Sequence, residues 1–526
     1  MNTSRVVALT LAACLLCVPV RAADETPMKS KIVAVDLFKN GLVVVKREVT
    51  LPKAGAYVLD EVPHPVHGTY FVESTGTIET SVKMREVDVP FAEATPGSLQ
   101  DDLAGKKVTI TFKGAARAPV VGTMVKLKPA KADEHIATGR FLVIQTAKGR
   151  AYVEASEVAS VESDDAGDTV KRRQPRLILT LGETDKPDTK VTLRYLTHGL
   201  AWAPSYKIDI SDPKTLTLEQ HATIRNELGD LDGADFRLIS GFPSVQFAHV
   251  RSLLSPRTTW ATFFSELGGS VGRDIAVLNN SIVTQQSLGN FRNPSAHGLS
   301  LGATPAGEGV DLHYQGIGKR TLAEGETLAL TVSKGKAEYE RIVEWLIPDH
   351  RNEYGYHDAR GQAHEDDAWD ALKFKNPLTF PMTTGPVTVV SGGQFNGQRT
   401  TFWVNSGEET VLRVEKALSV RTRATENEVV GKDGNRDSVW IGGRQYRKST
   451  VEGEVAVSNH RKETVSMVIR RRFSGDLTSA EGSPKSSLRE EGVFSINKRN
   501  ELLWTLPLKS GEEKKMKYVY TVLIPH

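Results

Sequence analysis

Cysteine is almost absent: the 526 residues hold two, Cys14 and Cys17. Both fall in an N-terminal stretch that reads as a removable export signal. Without it the chain has no thiol for a disulfide framework, a cysteine metal site or a thiol nucleophile. An excess of one charge sign is missing as well, since 67 Lys and Arg face 64 Asp and Glu. Removing Arg5 and Arg21 with the signal leaves 65 against 64, a net charge of +1. So even a balance gives no reason to expect a nucleic-acid partner. Beyond the signal no apolar run approaches the ~20 residues a bilayer-crossing helix needs, so no transmembrane span is expected in the mature chain. Apolar stripes with a period of 3.6 are scarce. The glycines of "GGSVG" lack a Walker lysine, which argues against a phosphate cradle and leaves no cofactor to expect.

What is present begins with the signal itself. Arg5 supplies the positive end, Val6 to Val20 the apolar segment, and Val20-Arg21-Ala22 a small-residue cleavage site, so residues 1–22 are expected to be removed. Leu11-Ala12-Ala13-Cys14 also fits the pattern that precedes a lipidated cysteine, which makes Cys14 a candidate lipid anchor. Either route exports the protein to the periplasm or beyond, in the second case anchored to the envelope.

Short alternating, β-branched runs recur along the whole chain, and they predict a mainly β protein. Three parts are expected: a small N-terminal β-domain at 28–95, an SH3-like small barrel at 103–163, and a large C-terminal antiparallel β-sandwich at 172–526. In the first, Asn40-Gly41 is a hairpin signal. In the second, five short runs fit a closed barrel that protects its own edges. The polar "SDDAGDTVKRRQPR" reads as the linker to the third. There the device Gly-Glu followed by an alternating run occurs three times, at Gly325, Gly407 and Gly511. A long irregular insertion rich in Gly, Ser and Asn is expected at 251–309.

Two clusters could hold a metal. His357, Asp358, His364, Glu365 and Asp366 offer imidazole and carboxylate ligands of the kind a divalent metal takes, the basis for a metal-dependent hydrolase. Asp230, Asp232 and Asp235, around Gly233, place oxygens as a calcium-stabilised scaffold or adhesion protein would. Neither spacing matches an established motif, and a solvated connection and a turn are the competing readings. His64 and His67 read as a loop. Trp260, Phe263 and Phe264 are candidates for exposed contacts, and Lys171-Arg172-Arg173 and Arg470-Arg471-Arg472 read as solvated surface.

The string "VTLRYLTHGLAWAPSYKIDI" followed by "ATIRNELGDLDGADFRLISGFP" resembles the mucoidy-inhibitor-A-like proteins, in their C-terminal domain of unknown function 4139. Tyr195, Gly199, Trp202, Pro204, Tyr206, Asn226, Gly229, Asp235, Leu238, Gly241 and Pro243 stand at the places that carry the likeness. It covers most of 172–526, and the opening "VDLFKNGLVVVKREVTLPKAGAYVL" is similar to that family's small N-terminal domain. Where such proteins often carry a helical coiled coil between the two, this chain has the barrel-like stretch. The resemblance implies an exported β-rich envelope protein and carries over no catalytic residue.

The expectation is therefore a non-enzymatic cell-envelope protein of β-modules whose partners are envelope proteins or polysaccharide. Within its signature, the period of two puts Leu200, Trp202, Pro204, Tyr206 and Ile208 on the buried face of a strand. Pro204, which donates no hydrogen bond, belongs at an edge or a bulge.

Overall fold

The computed structural model describes residues 25–59, 61–90, 99–114, 117–127, 140–163, 169–183, 187–241, 243, 245–256, 258–268, 312–349, 351–352, 367–429, 438–490 and 495–525. The protein is mainly β, with several sheets packed face to face and none closed into a barrel.

The Asn40-Gly41 turn forms as expected. Gly41 takes φ 86° and the Asn40 Oδ1 accepts the Leu42 N–H at 3.2 Å. The strands it joins do not stay together as a small domain. Lys31–Leu37 runs parallel to Leu231–Ser240, and Leu42–Leu51 pairs antiparallel with Thr189–His198, all in one six-stranded sheet. Gly55–Leu59 and Ile78–Pro90 flank Thr169–Leu181 in a four-stranded sheet that packs on it through Leu51, Tyr57, Leu59, Leu177, Leu179 and Leu193. The boundary expected at 172 thus falls inside a strand, and most of the expected linker is that strand. A strand's alternation reports its two faces and is silent about how distant its ladder partner is.

Between Ile78–Pro90 and Thr169–Leu181, paired from Thr169↔Pro90 to Leu181↔Ile78, the chain leaves to build the expected five-stranded unit and returns. Its strand order is Gly149–Glu154, Phe141–Thr146, Val120–Met124, Lys107–Phe112, Val158–Ser163, around Ile110, Met124, Leu142 and Ile144. Among the described residues no ladder joins the first and last of these, so the closure expected of an SH3-like barrel is not made by hydrogen bonds. The Gln100 side chain instead seals the sheet, donating to the Val125 and Val143 carbonyls and accepting the Val143 N–H at 2.6 Å.

The rest is organised by one strand, Thr327–Ile347. Its first half pairs with Thr215–Asn226, its middle with Trp369–Lys375, and its last residues run parallel to Val465–Ser474. Three large cores lie along the ten-stranded sheet it belongs to, besides a small cluster of Ile342, Ala371 and Val468. One, with Val35, Trp202 and Phe236, faces the six-stranded sheet. Another, with Tyr206, Phe374 and Val389, lies inside the curl of the sheet itself. The last, with Trp345, Trp504 and Tyr518, faces a C-terminal sheet of Val420–Val429, Ser438–Ile441, Arg444–Asn459, Asp476–Ala480 and Glu513–Pro525. In that sheet Gly453 lies across from Tyr518 and leaves the space its ring fills, since a Cβ there would come within 2.2 Å of it.

The three Gly-Glu turns turn out to be one device built three times. Each docks on a buried asparagine that ends the strand paired with the run after the turn: Asn226, Asn376 and Asn459. In every copy the asparagine Nδ2 donates to the carbonyl of the apolar residue three before the glycine, Leu322 at 2.9 Å, Val404 at 3.1 Å and Leu508 at 3.0 Å. Its backbone exchanges bonds with the glycine and glutamate of the turn. The glutamate carboxylate accepts the N–H three residues before it, from Ala323, Asn405 and Lys509. Gly325, Gly407 and Gly511 all have φ between 69° and 83°, where a side chain is strained.

Candidate functional site

The strand Leu200–Asp209 settles where the signature residues lie. Trp202 is fully buried and its Nε1 donates to the Ile239 carbonyl at 3.1 Å; Tyr206 accepts the Thr383 N–H at 2.8 Å on its hydroxyl. They belong to different cores, and Pro204 sits between. Its ladder to Ala222 is regular, and the parallel ladder to Gly385–Ser391 begins only at Tyr206, so the missing donor falls where the strand has one neighbour. Gly199 lies against the Glu227-Leu228 backbone, and Asn226 is the first of the three clamps. Trp202 and Tyr206 thus fill cores, and Gly199 and Asn226 shape a turn.

The calcium arrangement is not made. Asp230 accepts the Glu324 N–H at 3.0 Å, Asp232 pairs with Lys31 at 3.0 Å, and Asp235 stands exposed in the strand Leu231–Ser240. The three do not form a group that could hold a cation. His357, Asp358, His364, Glu365 and Asp366 lie outside the described residues, as does Cys14. His64 meets the Ser255 hydroxyl at 2.7 Å, and His67 packs edge-on to Phe263, which is buried. Its helix neighbours Trp260 and Phe264 are exposed and stack at 5.5 Å. Gly268-Gly269-Ser270-Val271-Gly272 has the Gly-x-Ser-x-Gly spacing of a hydrolase nucleophile elbow, against the expectation that the chain carries no serine-nucleophile signal. That elbow needs a strand before it, whereas here the helix Trp260–Gly268 precedes, and from Gly269 on the motif is outside the described residues.

The arginine triplet is not a solvated run. Alternation sends Arg470 and Arg472 to one face, onto Glu344 and Glu501, and Arg471 into the C-terminal sandwich. There its guanidinium meets Glu426, the Tyr518 hydroxyl at 3.0 Å and the Pro348 carbonyl at 2.6 Å. Tyr518 and Tyr520 both donate to the Glu426 carboxylate, at 2.6 and 3.1 Å. Burial resists the charge on Glu426, but Arg471 and the tyrosine hydroxyls outweigh it and hold its pKa below the usual carboxylate value. Burial pushes both tyrosines up. Glu426→Gln would strand a buried guanidinium, and we expect a loss of about 3 kcal/mol at pH 7 in denaturant unfolding. That is the low end for a buried pair, because the Glu426 side chain keeps 27% of its surface exposed. With a depressed folded pKa, the contribution is complete above the unfolded value of roughly 4.3 and fades as pH falls through the folded one. A variant as stable as the parent at pH 7 would contradict this account.

The feature best suited to binding is a cleft of about 410 Å³ beside the second Gly-Glu turn. It opens between Gln394–Thr401 and Glu409–Lys416, each of which, among the described residues, is hydrogen-bonded to a strand on one side only. Phe374, Met382, Val404 and Leu412, all buried, form its floor. Its walls carry Phe402, 54% exposed, together with Trp403, Arg399 and Arg413. The Trp403 Nε1 donates to Asn405 Oδ1 at 3.0 Å and its ring lies 5.6 Å from that of His313. The Arg399 Nε donates to the Val414 carbonyl at 3.0 Å and its guanidinium sits 4.6 Å above the Trp369 ring. The sequence marks this cleft only by the adjacent aromatic pair in "TTFWVN", which breaks alternation.

No protein-family model matches the chain, and no curated protein matches its sequence. No helix among the described residues is long and apolar enough to cross a membrane.

Proposed function

We propose that this is an exported, non-enzymatic cell-envelope protein whose β-modules bind protein or polysaccharide partners, as its resemblance to the mucoidy-inhibitor-A-like proteins implies. The observation that supports this most is the cleft beside Phe402 and Trp403. An apolar floor, flanking aromatics and arginine make the composition of a recognition surface, in which aromatics and arginine carry most of the binding energy. The test is titration of the mature protein with envelope polysaccharide and with defined peptides. Saturable binding that weakens at least tenfold in a Phe402→Ala, Trp403→Ala double variant is expected, about 1.4 kcal/mol or more. If neither ligand class binds, the proposal fails.

A further inference from the structure

The cleft lies at a seam. Leu200–Asp209, Thr215–Asn226, Thr327–Ile347, Trp369–Lys375 and Glu409–Lys416 form one continuous set of ladders. From Leu200–Asp209 the set also runs the other way, to Gly385–Ser391 and Gln394–Thr401. These seven strands curl around the core that holds Tyr206, Phe374 and Val389. Among the described residues the circle is broken only between Gln394–Thr401 and Glu409–Lys416. At one end the two edges are held together: Arg399 donates to the Val414 carbonyl, and a Cβ on Gly397 would come within 3.3 Å of that same oxygen. Beyond that point lies the cleft, lined by Arg399–Val404 on one side and Thr410–Arg413 on the other.

We propose that this seam accepts an extended peptide from another protein, which adds as a strand to one edge. The inference rests on the binding function proposed above and names its ligand. An unpaired strand edge is a ready template for a further strand, with backbone bonds giving affinity and alternate side chains giving selectivity. The opening matches four or five residues, about 15 Å at ~3.3 Å each. Side chains on one face of such a peptide would reach Met382 and Leu412, so they are apolar. Charge fixes the other face. Among the described residues the cleft is lined by two arginines and no carboxylate. Arg413 already pairs with Glu344, whereas Arg399 has no carboxylate partner among the described residues. The peptide therefore carries an acidic residue among β-branched ones.

Fluorescein-labelled Ser-Val-Thr-Val-Glu-Val-Ser is the probe, with the full mature protein, read by anisotropy. Saturable binding is expected, reduced at least tenfold by N-methylation of alternate peptide bonds and at least tenfold by replacing the probe's glutamate with lysine. Arg399→Glu should reverse that preference, a result a merely misfolded variant cannot give. Absence of binding, or binding indifferent to N-methylation, overturns the inference. Concentration-dependent dimerisation that competes with the probe would make a second copy the occupant and overturn it too. If polysaccharide binds in a Trp403-dependent way while the probe does not, strand addition fails and the broader function stands.

Discussion

Replacing Asn459 with aspartate, nearly the same shape, should cost the C-terminal sandwich about 4 to 5 kcal/mol at pH 7. The Asn459 Nδ2 donates to the carbonyls of Glu463, Leu508 and Lys509 at 2.8, 3.0 and 3.2 Å, and its side chain is wholly buried. A carboxylate there donates nothing, faces three carbonyl oxygens and is cut off from water. Alanine only leaves the carbonyls unpaired, at about 3 kcal/mol, so aspartate should be the worse of the two, against ordinary notions of similarity. Acid should separate them. The aspartate's folded pKa would rise above the unfolded ~3.9, so the damage eases as pH falls from the folded value toward the unfolded one, while the alanine variant gains nothing. Denaturant unfolding followed by tryptophan fluorescence at pH 7 and pH 4 measures both. An aspartate variant as stable as alanine at pH 7 would show that the clamp does not depend on donation.

Trp202→Ala should cost about 5 kcal/mol, the top of the range for losing a buried indole. Two losses combine. Trp202 fills the core between Leu200–Asp209 and the six-stranded sheet, and its Nε1 is the partner of the Ile239 carbonyl on a neighbouring sheet. Phenylalanine keeps much of the volume but not the donor, and should recover roughly half. The readout is the unfolding free energy of the full chain. A loss below about 1 kcal/mol would put the side chain at the surface.

The face of each strand was legible in the sequence, and its neighbours were not. Period two placed Trp202 and Tyr206 inward correctly, yet could not tell that they enter different cores on either side of Pro204. The Gly-Glu turns announced themselves three times, but the asparagines that hold them lie far off in sequence; Asn226 is 99 residues before Gly325, and nothing local links the two. The N-terminal strands looked like a small domain because their partners at 189–198 and 231–240 lie beyond an inserted unit. A run of three arginines looks like solvated surface, although alternation alone separates Arg471 from Arg470 and Arg472. The seam left the least trace, since periodicity reports what a strand's two faces meet and says nothing of a missing neighbour at its edge.

The strand Thr327–Ile347 also sets an order of assembly. Its first half pairs with Thr215–Asn226, which precedes it in the chain and is already present when it emerges from synthesis. Its last residues, Val343–Ile347, wait for Val465–Ser474, more than a hundred positions later. Until then a parallel edge with Trp345 on it stands uncovered, and such edges pair with the wrong chain as readily as with the right one. A chain cut short before residue 465 would therefore keep the pairing of Thr327–Ile347 with Thr215–Asn226 and leave the Val343–Ile347 edge, with Trp345 on it, without its ladder partner.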